Sequence, residues 1–147
     1  AEEARKRAEL EARTTDRVEP GFQQSEVNHN YKGEFSDSGD FRDRKYRHAG
    51  GSGWFSYDLA SDPAAPGMTL AVVYFAGDNN RAFKILVDDK ELVSERLATN
   101  VHDDFYEKEY KIPAEMTRGK KKITVRFQGL GEHASLVGGV FGVTLRR

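Results

Sequence analysis

An antiparallel β-sandwich is the fold that this sequence predicts. Seven or eight short segments pair an apolar face with a polar one, turn signals separate them about every ten residues, and nowhere do strands alternate with long helices. The stretch from Gly50 to Leu59 organises the rest: a glycine-rich turn leads into a strand that puts Phe55, Tyr57 and Leu59 on the core face. Trp54, Ser56 and Asp58 fall on the opposite face, and Trp54 is the only tryptophan of the chain.

At 147 residues the chain suits one domain with a real core. Residues 1–13 are almost all Ala, Glu, Arg and Lys, with Leu10 as the only large apolar side chain, so a helix without an apolar stripe is expected there. Such a helix reads as a solvated linker from something upstream, and residues 14–147 read as the β domain. Pro20-Gly21 marks a turn near its start, ahead of 22–29. Tyr31–His48 is polar, with acids at 34, 37, 40 and 43, and reads as a long loop with short edge strands.

After Leu59, the segment 62–67 is turn-rich, and Met68–Ala76 is apolar enough for a strand buried on both sides. A tight connection at 77–80 precedes a strand at 81–87, in which Phe83, Ile85 and Val87 share a face. Asp88-Asp89-Lys90 turns it into a hairpin with 91–97. Phe105–Ile112 alternates again until Pro113 stops it, and one helical turn fits 114–118 before Gly119. Two strands close the chain, 122–128 and 139–146, the second with Phe141, Val143 and Leu145 on one face.

Composition removes several function classes. A net charge of −1 gives no field that attracts nucleic acid or an acidic membrane surface, and no apolar run approaches the roughly 20 residues of a membrane span. The first residues are charged where a signal peptide would be apolar. With no cysteine there is neither a disulfide nor a thiol nucleophile. Histidines 29, 48, 102 and 133 lack zinc-ligand spacing and read as surface or capping residues. Gly50–Gly53 opens a strand and lacks the Gly-Lys-Ser/Thr of a phosphate loop; Lys120–Lys122 reads as a polar turn. Neither a nucleophile elbow nor a defined carboxylate pair is present, so a free-standing enzyme is the weakest reading. Calcium is the one metal with hard ligands to hand, at Asp37 and Asp40 with Glu34 and Asp43 nearby, but the spacing is not an EF-hand and adjacent arginines offset the charge.

Two features rise above this background. Trp54 can stack on a sugar ring with Asp58, Arg126 and Gln128 near its hydroxyls, or it packs under the 31–48 segment or against another domain. Asp78, Asn80 and Arg81 sit at a strand corner and offer polar groups of the kind that bind glycans, or they form a plain two-residue turn.

Residues 48–59 (His-Ala-Gly-Gly-Ser-Gly-Trp-Phe-Ser-Tyr-Asp-Leu), 73–78 (Val-Tyr-Phe-Ala-Gly-Asp), 81–88, 122–128 and 138–143 (Gly-Gly-Val-Phe-Gly-Val) resemble, in the same order, the C-terminal domain of β-L-arabinofuranosidase-like glycoside hydrolases of Bacteroides type. The resemblance covers about residues 14–147 and implies a galactose-binding-like jelly roll. It implies a non-catalytic, carbohydrate-binding-like accessory module, with the hydrolytic residues in an upstream helical barrel of the same protein. The alternative it leaves open is a structural docking or dimerisation domain for that barrel. Localisation in the periplasm or outside the cell follows from the resemblance alone, and no cofactor is implied.

Overall fold

In the computed structural model the described residues are 1–78, 81–97, 104–131 and 136–147. The chain runs α1 (Glu2–Arg13), β1 (Thr14–Val18), α2 (Gln23–Asn28), β2 (Lys32–Phe41), β3 (Arg44–Ala60), β4 (Met68–Phe75), β5 (Arg81–Val87), β6 (Lys90–Leu97), β7 (Phe105–Ile112), α3 (Ala114–Thr117), β8 (Lys122–Gly129), β9 (Leu136–Val140) and β10 (Gly142–Arg146). Two sheets face one another. The smaller has strand order β1-β10-β4-β7; the larger runs β2-β3-β8-β5-β6, with β9 paired to both β3 and β5. This is the predicted all-β sandwich with its N-terminal helix, and the pairings are antiparallel except for one parallel bridge between β5 and β9.

The alternation of the organising strand sets the core. Phe55, Tyr57 and Leu59 are fully buried and meet Phe127, Val125 and Ile123 of β8 in register. Phe83, Ile85 and Val87 continue that layer on β5, while Leu70, Val72 and Tyr74 of β4 face it from the smaller sheet. The rings of Phe55 and Phe127 stack with centroids 5.0 Å apart, an arrangement that adds to their area burial. β4 lies between β10 and β7, and residues on both of its faces are buried, which its near-continuous apolar run reflects. Asp88 and Asp89 both adopt left-handed backbone and form a two-residue turn in the β5–β6 hairpin, one residue shorter than the expected Asp88-Asp89-Lys90, because Lys90 already pairs with Val87.

Two expectations are corrected. The segment 31–48 is not a long loop: it is the ten-residue β2 and the start of the 17-residue β3, paired from Lys32↔Ser56 to Phe41↔Arg44. Its turn residues Arg42 and Asp43 both have positive φ without the Asn-Gly signature of such turns, and no apolar alternation marks a strand that is exposed along most of its length. The segment 139–146 is not one strand. β9 pairs within the larger sheet and β10 within the smaller, so the chain changes sheet at Phe141, whose N–H is bonded to Val73 O. One short helix also went unsignalled, α2, which buries Glu26.

Candidate functional site

The sequence-based candidates separate into two places. Trp54, Asp58, Arg126 and Gln128 lie together on the outer face of the larger sheet, as their parity requires, with Trp54↔Gln128 and Asp58↔Thr124 as cross-strand pairs. They are bonded to one another or to their surroundings. The Arg126 guanidinium covers the Trp54 ring at 3.9 Å, and its Nε donates to Gln128 Oε1 at 2.8 Å. The Gln128 amide donates to the carbonyls of Ser52 and Gly129. Asp58 accepts from Thr124 Oγ1 at 2.6 Å and Asn30 Nδ2 at 3.0 Å, with Lys122 at 3.5 Å. Burial alone would raise the Asp58 pKa, but the hydrogen bonds from Thr124 and Asn30 and the Lys122 charge outweigh it and hold the carboxyl below its ordinary value.

Asp78 and Arg81 lie instead in a concave site at one end of the sandwich. It is a cleft of about 200 Å³ lined by Phe41, Tyr46, His48, Asp78, Arg81, Gly139 and Phe141. Asn80, and with it the proposed turn at 79–80, lies outside the described residues, as do His102 and His133. β3 supplies Tyr46 and His48, the hairpin end supplies Phe41, and the crossing between the sheets supplies Phe141. Gly139 keeps the cleft open between two rings: a Cβ there would stand 3.3 Å from Tyr46 and 3.5 Å from Phe141.

The walls are aromatic. Tyr46 and Phe141 meet edge to face at 5.4 Å, Phe141 meets Phe105 at 4.8 Å, and Phe41 meets Phe75 at 4.8 Å. Arg42 lies over Phe41 and Phe75, and Arg44 over Phe105 and Phe141, which seats the hairpin tip on this cluster. The polar groups are an ion pair, Arg81 to Asp78 at 3.3 Å with both side chains about four-fifths buried, and His48. Burial raises the Asp78 pKa, against the opposing pull of Arg81, a backbone hydrogen bond from Gly139, and His48. Burial likewise lowers the His48 pKa, with Arg81 and Arg47 adding to it and Asp37 and Asp78 opposing. A partly buried carboxylate beside a guanidinium and an imidazole can exchange paired hydrogen bonds with vicinal hydroxyls, while the rings accept the C–H face of a small polar molecule.

Sequence reasoning reached Asp78 and Arg81 but missed Phe41, Tyr46, His48, Gly139 and Phe141. The usable signal was the alternation of Tyr46 and His48 with Arg47 and Ala49, hidden by reading the segment as a loop. Of the other histidines, His29 is a local tie, with Nδ1 at 2.7 Å from Ser25 O and Nε2 at 2.8 Å from Asp16 Oδ1. The carboxylates considered for calcium do not converge. β2 spreads Glu34, Asp37 and Asp40 along its length, Asp40 pairs with Lys45 at 3.0 Å, and among the described residues no group of three His, Cys, Asp or Glu side chains could hold a metal ion.

The fold is that of known carbohydrate-binding modules. The chain is similar to a family 35 carbohydrate-binding module from Clostridium thermocellum, with TM-score 0.61 and 13% identity over 88% of this chain and 96% of that one. The corresponding module CBM35 from Paenibacillus barcinonensis gives TM-score 0.63 at 10% identity, over 89% and 98% of the two chains. The module CBM36 in complex with calcium and xylotriose gives 0.60 at 9% identity, over 88% and 98%. At these identities the likeness is one of fold. Among curated proteins none matches significantly. A family model described as "Family of unknown function (DUF6805)" matches residues 9–145.

Proposed function

The chain belongs to the DUF6805 family, and we propose that it is a non-catalytic carbohydrate-binding module whose site is the cleft around Asp78 and Arg81. The observation that carries this reading is the combination, in one concave site, of three aromatic walls with a partly buried carboxylate–guanidinium pair. The fold it shares with modules of families 35 and 36 supports it. In this reading α1 is the linker from an upstream catalytic domain, residues 14–147 are the accessory domain, and the parent protein is a β-L-arabinofuranosidase-like glycoside hydrolase of the periplasm or cell exterior. No residue of the chain itself acts in hydrolysis. A calcium ion, if used, would take ligands other than the acidic residues of β2.

Calorimetric titration of the chain with arabinose-, galactose- and xylose-containing oligosaccharides tests the proposal. Saturable heat with at least one of them, lost in Arg81→Ala, is the expected result; a flat response across the panel would sink it. A docking or dimerisation role is the second reading, favoured by one observation. α1 buries none of its own residues, and a groove lined by Ala4, Ala8 and Leu10 runs between it and Arg17 and Arg146 of the smaller sheet. That role predicts no glycan binding, together with mutual stabilisation of this chain and its catalytic domain.

A further inference from the structure

Tyr46 and His48, two walls of the cleft, flank a residue whose side chain goes the other way. Successive residues of a strand point to opposite faces, so Arg47 turns from the cleft toward α2, where it is 9% exposed. There its guanidinium is held on three sides. Nε and Nη2 donate to the two oxygens of Glu26 at 2.6 and 3.0 Å, a bidentate pair, and Nη1 donates to Tyr31 Oη and Ser36 Oγ, each at 3.0 Å. Its Cζ also lies 4.1 Å from the Tyr31 ring centroid. Glu26, itself 5% exposed, receives a further bond from Tyr57 Oη at 2.5 Å. The network then returns to the cleft: Ser36 Oγ donates at 2.9 Å to the backbone carbonyl of His48.

We propose that Glu26 and Arg47 are positioning residues for the cleft: the clamp between α2 and β3 fixes the backbone from Tyr46 to His48, and so sets where these two side chains meet a ligand. This rests on the glycan-binding reading of the cleft. The geometry favours it because no side chain of the clamp lines the cleft, yet its bonds converge on Arg47, between the two ligand-facing residues, and reach the backbone carbonyl of His48 through Ser36. A buried ion pair is weak evidence for stability as such, since apolar replacements of similar volume often serve as well. What apolar replacements do not reproduce is the fork of directed bonds that fixes register and rotation.

The test separates positioning from stability. Arg47→Lys keeps the charge and loses the fork, so electrostatic effects on His48 are retained while its ring is free to shift. NMR titration of the His48 imidazole is expected to give a midpoint higher than in the wild type, toward the ordinary histidine value; an unchanged midpoint would overturn the clamp. In a second arm, Glu26→Leu, Arg47→Met and Tyr57→Phe are combined, so that the ion pair becomes apolar and no tyrosine hydroxyl is left without its acceptor. This variant should unfold within a few degrees of the wild type and bind oligosaccharide about tenfold more weakly. Wild-type affinity in a folded triple variant would also overturn the proposal. If the wild type binds no sugar, the reading of the cleft has failed, and the NMR arm alone decides whether the clamp positions His48.

Discussion

The outer face around Trp54 and the cleft around Asp78 carry nearly the same set of chemical groups. Each has aromatic surface, an aspartate and an arginine. On the outer face Arg126 already lies on Trp54, and Asp58 already accepts from Thr124 and Asn30. In the cleft the aromatic rings form walls around a void, and the aspartate is held against its burial by an arginine at 3.3 Å. Residue type alone does not distinguish a binding site from a well-tied surface. The difference lies in shape: the rings of the cleft stand around a void, whereas the Trp54 ring is already covered by Arg126.

Substitutions in the two places should therefore separate affinity from stability. The largest effect is expected in the cleft, where Asp78→Ala removes the carboxylate that pairs with Arg81 and should weaken glycan binding by about 2–5 kcal/mol, read by calorimetry. Trp54→Ala should do the reverse. Loss of the ring under Arg126 should cost about 1–2 kcal/mol of stability, seen as a lower Tm, with the affinity constant unchanged. A Trp54→Ala protein that is stable but no longer binds would return the site to the outer face.

The smallest effect is in acid, and it has opposite sign in the two places. Asp58 has a folded pKa below the unfolded one, so its contribution is present above the unfolded value near 3.9 and is lost as pH falls through the folded value. Asp78 has a folded pKa above the unfolded one, so its contribution is present below about 3.9 and is lost as pH rises through the folded value. Urea midpoints measured between neutral pH and about pH 3 should thus fall less steeply on acidification in Asp58→Asn than in the wild type, and more steeply in Asp78→Asn. Parallel curves for the two variants would show that the aspartates do not differ in the way described.

Where one face of a strand is core, the sequence was readable. The alternation of Phe55, Tyr57 and Leu59 gave the central strand and its orientation, and the apolar run at 68–76 marked the strand between two neighbours. Where neither face carries an apolar pattern, it was not. The β2–β3 hairpin presents charged residues to solvent and a buried arginine to α2, so hydrophobic periodicity had no purchase on it. The cleft inherits that blindness. Its walls come from β2, β3, β5, β9 and the two crossings at Asp78 and Phe141, positions separated by as much as 100 residues (Phe41 to Phe141), and only the closed sandwich brings them together. Asp78 and Arg81 were found because they are three residues apart; Phe41 and Phe141 had no local reason to be joined.

The pairing of β1 with β10 has a consequence for how the protein is made. Thr14 lies opposite Arg146, and Arg147 N–H reaches back to Arg13 O at 2.8 Å, so the smaller sheet brings together two stretches from opposite ends of the sequence. During synthesis β1 leaves the ribosome first among the strands, and its neighbour β10 leaves last. Thr14–Val18 therefore cannot pair with β10 until every other strand of the sandwich has been made, and the smaller sheet closes only after β10 has followed them. The same proximity makes the two ends of the sandwich interchangeable: joining 13 to 147 by a short linker and reopening the chain at the Asp88-Asp89 turn should give a permuted protein with every strand pairing intact.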